Sequence, residues 1–262
     1  AAMELAAGAS YAGARSMVTM KQVGLNVASD PLMSLEYVGI KGGMIILVAD
    51  DPGPISSQTE QDTRHFSRFS KLPCFDPSSA QEAYEMIQEA FEYSEKYGTP
   101  VFLRPTTRVC HGYASIMVKD ETEYTHHQPE GFIKDSKRWV IFPRLSFMNH
   151  KKIEARNQEL SDIFSSYEKN TIHPSCDAFK DSKKGIATGG ISYTYTMETL
   201  KKTGMIKTLK IATPHPFPEK LAVDFLSGLD EVLCLEELDP VIERELIYIC
   251  GKYHLPTRIN GK

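Results

Sequence analysis

The chain has 262 residues, of which 41% are apolar, and its 30 basic and 34 acidic residues leave a formal charge of −4. With the 17 glycines added, the apolar share lies in the globular range, which excludes a disordered chain and a disulfide-stapled miniprotein. The longest apolar run is far shorter than the about 20 residues of a membrane span, and the small negative charge gives no electrostatic footprint for nucleic acid. We expect neither a membrane nor a nucleic acid as partner.

The two ends of the chain are unusual. A helix is predicted to begin at Ala1 without a capping residue, and the chain ends just after a strand begins at Arg258. We therefore expect an internal piece of a larger protein.

The five cysteines are widely spaced without a C-x-x-C pair, which predicts reduced thiols in the cytoplasm rather than disulfides, a zinc site or an iron–sulfur site. His126 and His127 have no third ligand nearby at metal spacing, so no metal site is predicted.

Between residues 1 and 112, helical patterns alternate with short apolar runs. The predicted helices are 1–14, 27–38 (with Pro31 in its first turn), 58–70 and 79–97, and the predicted strands are 16–19, 44–49, 74–75 and 101–103. The run Met44–Ala49, bounded by Gly and Asp-Pro-Gly, is typical of a strand buried on both faces. Ser78-Ser79 followed by Glu82 predicts a capping box. Strands that alternate with helices predict βαβ units and a parallel sheet.

The rest of the chain predicts a connector and a second unit. Residues 113–183 carry 11 basic and 11 acidic residues, which favours a charged connector, with one amphipathic helix over 146–167. The strands 185–188, 206–211 and 231–235 alternate with the helices 192–202, 219–226 and 242–252. The sequence therefore predicts an α/β protein with two three-layer α/β/α domains and mainly parallel sheets, over 1–112 and 184–262.

Polar loops follow three strands of the first unit, at residues 20–26, 50–64 and 104–108. Parallel α/β sheets bind ligands outside the carboxyl ends of their strands, so we expect a site at this edge. The alternative is ordinary turns and a solvated helix start. Neither G-x-G-x-x-G nor G-x-x-x-x-G-K-[ST] occurs, so no dinucleotide or P-loop site is predicted. In the second unit, Glu236 and Glu237 either reach a partner or cap the next helix.

Six motifs in order carry a resemblance to a known family. They are GARSMVTMKQVGLNVASDPL (13–32), VADDPG (48–53), SSQTEQDTR (56–64), LRPTTRV (103–109), GISY (190–193) and VLCLEELDP (232–240). Together they resemble the alpha subunits of indolepyruvate:ferredoxin oxidoreductases over nearly the whole chain, most weakly at 113–180.

The resemblance implies that the first unit is the pyrimidine-binding domain of a thiamine-diphosphate enzyme and the second a transketolase C-terminal-like domain. Such an enzyme oxidatively decarboxylates an aryl 2-oxo acid to an acyl-CoA, with ferredoxin as electron acceptor. The family uses thiamine diphosphate, Mg²⁺ and iron–sulfur clusters, and its partners are a second (beta) subunit, ferredoxin and coenzyme A in an oligomer. The family's cofactor-activating glutamate, metal-binding domain and cysteine-rich tail lie outside this chain, so we expect no activity from it alone.

The resemblance also assigns roles to residues. Lys21, Gly24, Leu25 and Asn26 are expected to border the pyrimidine ring. The segment 58–64, with Gln58 and Glu60, is expected to face the substrate, and Arg64 either attracts the 2-oxo acid carboxylate or pairs with Asp62 or Glu60. Two alternatives stay open, another thiamine-diphosphate enzyme of the decarboxylase or transketolase type and a non-catalytic assembly module. A Gly-Asp-Gly motif and a cysteine-rich tail downstream in the gene separate these readings.

Overall fold

The computed structural model describes residues 1–53, 55, 57–124 and 128–262. The elements up to residue 110 are α1 (Ala2–Tyr11), β1 (Ser16–Lys21), α2 (Gln22–Val38), β2 (Met44–Ala49), α3 (Thr63–Ser70), β3 (Cys74–Phe75), α4 (Ala80–Tyr97), β4 (Val101–Leu103) and α5 (Thr107–Cys110). Those that follow are α6 (Ser136–Trp139), α7 (Pro143–Phe164), β5 (Thr171–His173), β6 (Lys184–Gly189), α8 (Gly190–Thr203), β7 (Lys207–Ile211), α9 (Glu219–Leu226), β8 (Glu231–Leu235), α10 (Val241–Tyr253) and β9 (Arg258–Asn260). Among these described residues, no helix is both long enough and apolar enough to cross a membrane.

The first sheet is parallel and has the order β1-β2-β4-β3 within the described residues. Its central strand β2 pairs with β1 from Ser16↔Met44 to Lys21↔Ala49, and with β4 on its other side. Alternate side chains of β2 enter two different cores, because successive residues of a strand point to opposite faces. Ile46 and Val48 pack with α1 and α2, whereas Ile45 packs with α4 and α7. The result is the predicted α/β/α arrangement.

The second sheet has the order β5-β7-β6-β8-β9 in the described part of the chain. All its pairings are parallel except that of β5 with β7. One face packs on α9 and α10 through a core that includes Leu209, Phe225, Val232 and Leu246. On the other face α8 packs on β6 and β8. The prediction of an α/β fold with mainly parallel sheets is thus confirmed.

The segment between the two sheets is more structured than a charged connector. Leu160 and Phe164 of α7 belong to the core of the first unit, beside Phe75. Residues 171–173 then form β5, the antiparallel edge strand of the second sheet. The predicted helix over 146–167 corresponds to α7, which begins three residues earlier because Pro143 occupies its first turn.

Three local expectations are wrong. The predicted loop over 20–26 does not exist, because α2 begins at Gln22 directly after β1, and Pro31 lies inside α2 rather than in its first turn. The predicted helix over 58–70 begins only at Thr63, because the Asp62 carboxylate accepts a hydrogen bond from the backbone N–H of Arg64 and caps the helix there. The capping box predicted before α4 forms only in part: Ser79 accepts from the N–H of Glu82 at 3.2 Å, but the carboxylate of Glu82 accepts from the N–H of Ser78 at 2.6 Å and not from that of the capping residue Ser79.

Candidate functional site

A charged or polar residue follows each strand of the first sheet at its carboxyl end. These residues are Lys21 at the end of β1, Asp50 and Asp51 after β2, Asp76 after β3 and Arg104 after β4. All but Lys21 are buried, at most 2% exposed. Burying a charge is costly unless it is paired, so this edge of the sheet is held by a network of ion pairs.

Arg104 is the centre of that network. Its Nε donates to Oδ2 of Asp50 at 2.6 Å, and its Nη1 lies 3.3 Å from Oδ1 of Asp76. Its Nη2 lies 3.7 Å from Oδ1 of Asp62. Asp50 also accepts from the backbone N–H of Thr63 at 2.9 Å, which ties the start of α3 to the end of β2. The predicted loops after β2 and β4 therefore meet, as expected for neighbouring parallel strands.

Arg64 extends the network into the second unit. It donates to Oδ2 of Asp62 at 2.6 Å and to Oε2 of Glu236 at 2.7 Å, and Glu236 follows β8 of the other sheet. It also donates to the backbone oxygens of Glu237 and Asp239 at 2.7 and 2.9 Å. Arg64 is 2% exposed. Of the two roles considered for it, pairing with Asp62 is the arrangement in the structure.

The network shifts the pKa values of two of its carboxyl groups, Asp76 and Asp62, in opposite directions. Burial raises the pKa of Asp76 to about 6, although Arg104 opposes the change. Burial also acts to raise the pKa of Asp62, but Arg104 and Arg64 together hold it well below its usual range. Asp62 thus stays ionised between two guanidinium groups, whereas Asp76 is close to exchanging a proton near neutral pH.

The four residues expected to border the pyrimidine ring are divided by the structure. Lys21 ends β1, with its Nζ 3.8 Å from Oδ2 of Asp51. Asn26 is exposed in the second turn of α2 and donates to Oε1 of Gln61 at 3.0 Å. Gly24 lies in α2, between Lys21 and Asn26 in the sequence. Leu25, also in α2, is 3% exposed and belongs to the hydrophobic core. Lys21, Gly24 and Asn26 are therefore placed at the edge, whereas Leu25 points away from it.

Gln58 and Glu60 lie on the exposed segment that leads to α3. Glu60 accepts from the backbone N–H of Gly53 at 2.8 Å, which closes the turn after β2. The position of Ser56, part of the same motif, lies outside the described residues, as do His126 and His127. In the described part of the chain, no three His, Cys, Asp or Glu side chains are grouped to hold a metal ion.

A cavity of about 440 Å³ opens beside this edge and was not predicted. It is lined by Ile55, Thr107, Arg108, His111, Gly112 and Tyr195. Arg108 is exposed, and the described residues provide no acidic partner for it; its guanidinium carbon lies 5.9 Å from the ring centre of Tyr195. The signal was present in the sequence, since Arg108 ends the polar loop after β4. Tyr195 comes from α8 of the second unit, and no local pattern indicates that contact.

Several buried polar atoms at the edge have no hydrogen-bond partner among the described residues. They include Oε1 of Gln22, Oγ of Ser57 and Oγ1 of Thr106. The amide nitrogen of Gln22 donates to the backbone oxygen of Thr59 at 2.9 Å, so Gln22 lies against the segment that contains Ser57. Buried polar groups are nearly always paired, so these three atoms are open to a partner other than the described residues.

The fold is shared with enzymes of known structure. A 2-oxoglutarate:ferredoxin oxidoreductase from Magnetococcus marinus, solved with 2-oxoglutarate, coenzyme A and succinyl-CoA, superposes with a TM-score of 0.67 at 15% identity, over 99% of this chain and 52% of that one. A split-gene transketolase in its inactive β4 tetramer gives 0.59 at 14% identity, over 99% and 70%. The chain therefore has the overall α/β fold of these two enzymes.

The sequence comparisons narrow this class. The chain belongs to the pyruvate flavodoxin/ferredoxin oxidoreductase, thiamine diphosphate-binding family, whose model matches residues 1–177. It is 41% identical to indolepyruvate oxidoreductase subunit IorA of Methanothermobacter thermautotrophicus, over the whole chain and 42% of that protein. It is 39% identical to the subunit of the same name from Pyrococcus abyssi, over the whole chain and 40% of that protein. The chain thus spans about two fifths of the length of these relatives.

Proposed function

We propose that this chain is the cofactor-binding and substrate-binding part of an indolepyruvate-type 2-oxoacid:ferredoxin oxidoreductase. The enzyme converts an aryl 2-oxo acid to an acyl-CoA and passes the electrons to ferredoxin. The family match over residues 1–177 carries this proposal. The identity to two indolepyruvate oxidoreductase subunits supports the aryl substrate.

The polar edge of the first sheet suits the aminopyrimidine end of thiamine diphosphate. An aminopyrimidine offers an amino group as donor and ring nitrogens as acceptors. The unpartnered Oε1 of Gln22 is an acceptor, and the unpartnered Oγ1 of Thr106 both donates and accepts. When bound, thiamine diphosphate supplies the electron sink for decarboxylation of a 2-oxo acid. In this proposal Gln22 and Thr106 hold the ring, and Lys21, Gly24 and Asn26 line its approach.

The substrate carboxylate is assigned to Arg108 rather than to Arg64. Arg64 already donates to Asp62, Glu236 and two backbone oxygens in a buried site. Arg108 is exposed, borders the cavity and is a guanidinium able to bind a carboxylate through two hydrogen bonds. Gln58 and Glu60 remain candidates for the rim of the site, and Arg64 positions the edge by fixing Asp62.

The remaining parts of the reaction are proposed from the same family. Mg²⁺, the iron–sulfur clusters, the beta subunit, ferredoxin and coenzyme A complete the enzyme in an oligomer. The free thiols of all five cysteines support the expected cytoplasmic location, where thiols stay reduced. We keep 1–112 as the pyrimidine-binding-type unit, 113–183 as the connecting segment that includes α7, and 184–262 as the transketolase C-terminal-like unit, which takes β5 as its edge strand.

The proposal is tested on the full-length protein assembled with its partner subunit. We expect thiamine-diphosphate- and coenzyme A-dependent reduction of ferredoxin with indolepyruvate. Arg108→Ala should raise KM by about 10- to 100-fold, because it removes a charge-assisted hydrogen bond to the substrate carboxylate. Arg108→Lys should restore part of the lost affinity. Arg258→Ala, an exposed arginine of β9, is the matched control.

Four results would contradict parts of the proposal. No turnover with any 2-oxo acid refutes the enzyme assignment, whereas turnover only with aliphatic acids refutes the aryl class. An unchanged KM in Arg108→Ala removes Arg108 from the site. A raised KM in Arg64→Ala at an unchanged melting temperature returns the carboxylate contact to Arg64.

A further inference from the structure

The wall of the cavity beside Arg108 is built by both units of the molecule. Thr107 and Arg108 come from α5 of the first unit, whereas Tyr195 comes from α8 of the second. Ligand sites of about 300–1,000 Å³ are common between domains, with mostly apolar walls and a few placed polar groups. The cavity, at about 440 Å³, matches that description in its size and its position.

The ring of Tyr195 borders the cavity instead of packing in a core. Tyr195 is 47% exposed, and its ring centre lies 5.9 Å from the guanidinium carbon of Arg108. A guanidinium group at this distance from an aromatic ring is within reach of a cation–π interaction. A positive charge and an apolar ring face thus lie next to each other at the cavity.

Contacts of the first turns of α8 fix the position of Tyr195. The hydroxyl of Thr194 donates to the backbone oxygen of Ser78, just before α4 of the first unit, at 2.7 Å. The hydroxyl of Tyr193 lies 3.0 Å from Nε2 of His173 in β5. The helix that carries Tyr195 is therefore held against both units. Side chains on such fixed elements are placed more precisely than side chains on loops.

An aryl 2-oxo acid matches this pair of side chains. Its carboxylate carries the negative charge that a guanidinium group binds through two hydrogen bonds. A short carbon chain joins that carboxylate to the aromatic ring, and aromatic rings pair at about 4.5–7 Å between their centres. Because Arg108 lies 5.9 Å from the ring centre of Tyr195, a substrate held by Arg108 has its own ring within reach of Tyr195.

The surface around Tyr195 is apolar on both units. Ile55 of the first unit, 72% exposed, lines the same cavity. Tyr195 also borders a second hollow of about 300 Å³ against β6 and β8, whose lining includes Ile186, Leu200 and Leu235. An aromatic ring covers apolar surface of this kind, which an acid as small as pyruvate leaves in contact with water. Burial of that surface therefore favours the aryl acid.

We propose that Tyr195 sets the preference for an aryl 2-oxo acid by packing its ring against the ring of the substrate. Arg108 holds the carboxylate, and Tyr195 distinguishes what is attached to it. This role of Tyr195 rests on the proposed function, because it uses the same substrate carboxylate on Arg108. The second unit then contributes to the choice of substrate as well as to the packing of the molecule.

The first test compares two substrates on the full-length protein assembled with its partner subunit. Tyr195→Ala should lower the ratio of kcat/KM for indolepyruvate to kcat/KM for pyruvate by about tenfold, because an aromatic pair and its apolar contact are lost. Tyr195→Phe keeps the ring and should leave the ratio unchanged. Tyr248→Ala, at an exposed tyrosine of α10, is the matched control and should also leave it unchanged.

The second test measures binding without turnover. Indole-3-propionate has the indole ring and a carboxylate but no 2-oxo group, so it is not decarboxylated. Calorimetric titration of the same assembled protein should give a Kd that rises about tenfold in Tyr195→Ala and stays unchanged in Tyr195→Phe. The Kd of butyrate, which has no ring, should change in neither variant.

Several results would overturn the role of Tyr195 while the oxidoreductase assignment stands. They are an unchanged substrate ratio in Tyr195→Ala, an unchanged Kd for indole-3-propionate in that variant, and no binding of indole-3-propionate to the unchanged protein. An equal loss for acids with and without a ring would also overturn it, because Tyr195 would then act only through Arg108. Failure of the proposed function differs, since the unchanged protein then turns over no 2-oxo acid, and the titrations still decide the role of Tyr195.

Discussion

Burial controls the charge of Glu36, a carboxyl group in α2. Glu36 is 3% exposed, and one of its oxygens accepts a hydrogen bond from Nη2 of Arg156 on α7 at 2.8 Å. Burial raises the pKa of Glu36 from 4.5 to about 7, although Arg156 opposes the change. Between these two values the folded protein holds a proton on Glu36 that the unfolded chain has released.

We expect the free energy of unfolding to fall as pH rises from 4.5 to about 7. The stabilisation is complete below the unfolded pKa and is lost through the folded one, because the proton is bound only in the native state. The shift corresponds to a loss on the order of 3 kcal/mol. Urea unfolding at several pH values measures it.

The substitution Glu36→Gln removes the titrating group and should flatten this part of the profile. Glu4→Gln, at the exposed start of α1, is the control and should leave the slope unchanged. Equal slopes in the unchanged protein and in Glu36→Gln would show that Glu36 titrates at its ordinary pKa in the folded state.

Among the helices, α10 depends on a residue that precedes it. Both oxygens of Glu236 accept hydrogen bonds from the first turn of α10, from the N–H groups of Val241 and Ile242 at 3.1 and 3.0 Å and of Glu243 at 3.1 Å. Of the two roles considered for Glu236, capping the next helix is the one in the structure, and the same carboxylate also accepts a hydrogen bond from Arg64 of the first unit.

Glu236→Ala should lower the free energy of unfolding by about 3–5 kcal/mol, because it leaves Arg64 buried without one of its carboxylates and removes the helix cap. Chemical denaturation measures this loss. Glu237→Ala is the adjacent control and should cost less than about 1 kcal/mol, since Oε2 of Glu237 has no partner among the described residues. Equal losses in the two variants would mean that the ion pair contributes nothing beyond side-chain burial.

The sequence predicts elements well where local signals are strong. Met44–Ala49 and Val101–Leu103 are apolar runs between turn residues, and both strands have the predicted bounds. The start of α2 was missed because Lys21 precedes it in an extended conformation without a side-chain cap. β5 was missed because three residues at a sheet edge, held only by β7, carry no periodic pattern.

The candidate site was predictable only in part, for a related reason. The loops after β2 and β4 indicated the position of Asp50 and Arg104, because parallel strands end at the same edge. Asp76 follows a strand of two residues and gave no comparable signal. Glu236 and Tyr195 come from the second unit, and their contacts with Arg64 and Arg108 depend on how two separate sheets pack.

The chain has one tryptophan, Trp139, and it lies in the segment 128–148, whose residues are mostly exposed. The indole N–H of Trp139 donates to the backbone oxygen of Ile133 at 2.9 Å, and its ring lies against Tyr11. Segments with few buried apolar contacts open at a lower cost than the core. Tryptophan fluorescence therefore reports on the segment 128–148, whereas circular dichroism reports on the two sheets and their helices.

We expect the fluorescence transition to come at a lower urea concentration than the transition in far-ultraviolet circular dichroism, at low protein concentration. Trp139→Phe serves as a control, since it should remove the fluorescence signal and leave the main circular dichroism transition in place. Coincident transitions would show instead that the segment 128–148 unfolds together with the rest of the protein.

The buried ion pairs near the junction of the two units also affect how that junction responds to temperature. Arg64 and Arg104 join carboxylates from the residue that caps α3, from the ends of strands and from the loop after β8. Hydration of ions carries a strongly negative entropy, so the cost of keeping these groups away from water decreases on warming. We therefore expect the ion pairs between the units to weaken less on warming than an exposed contact does, and the two sheet edges to keep their relative position.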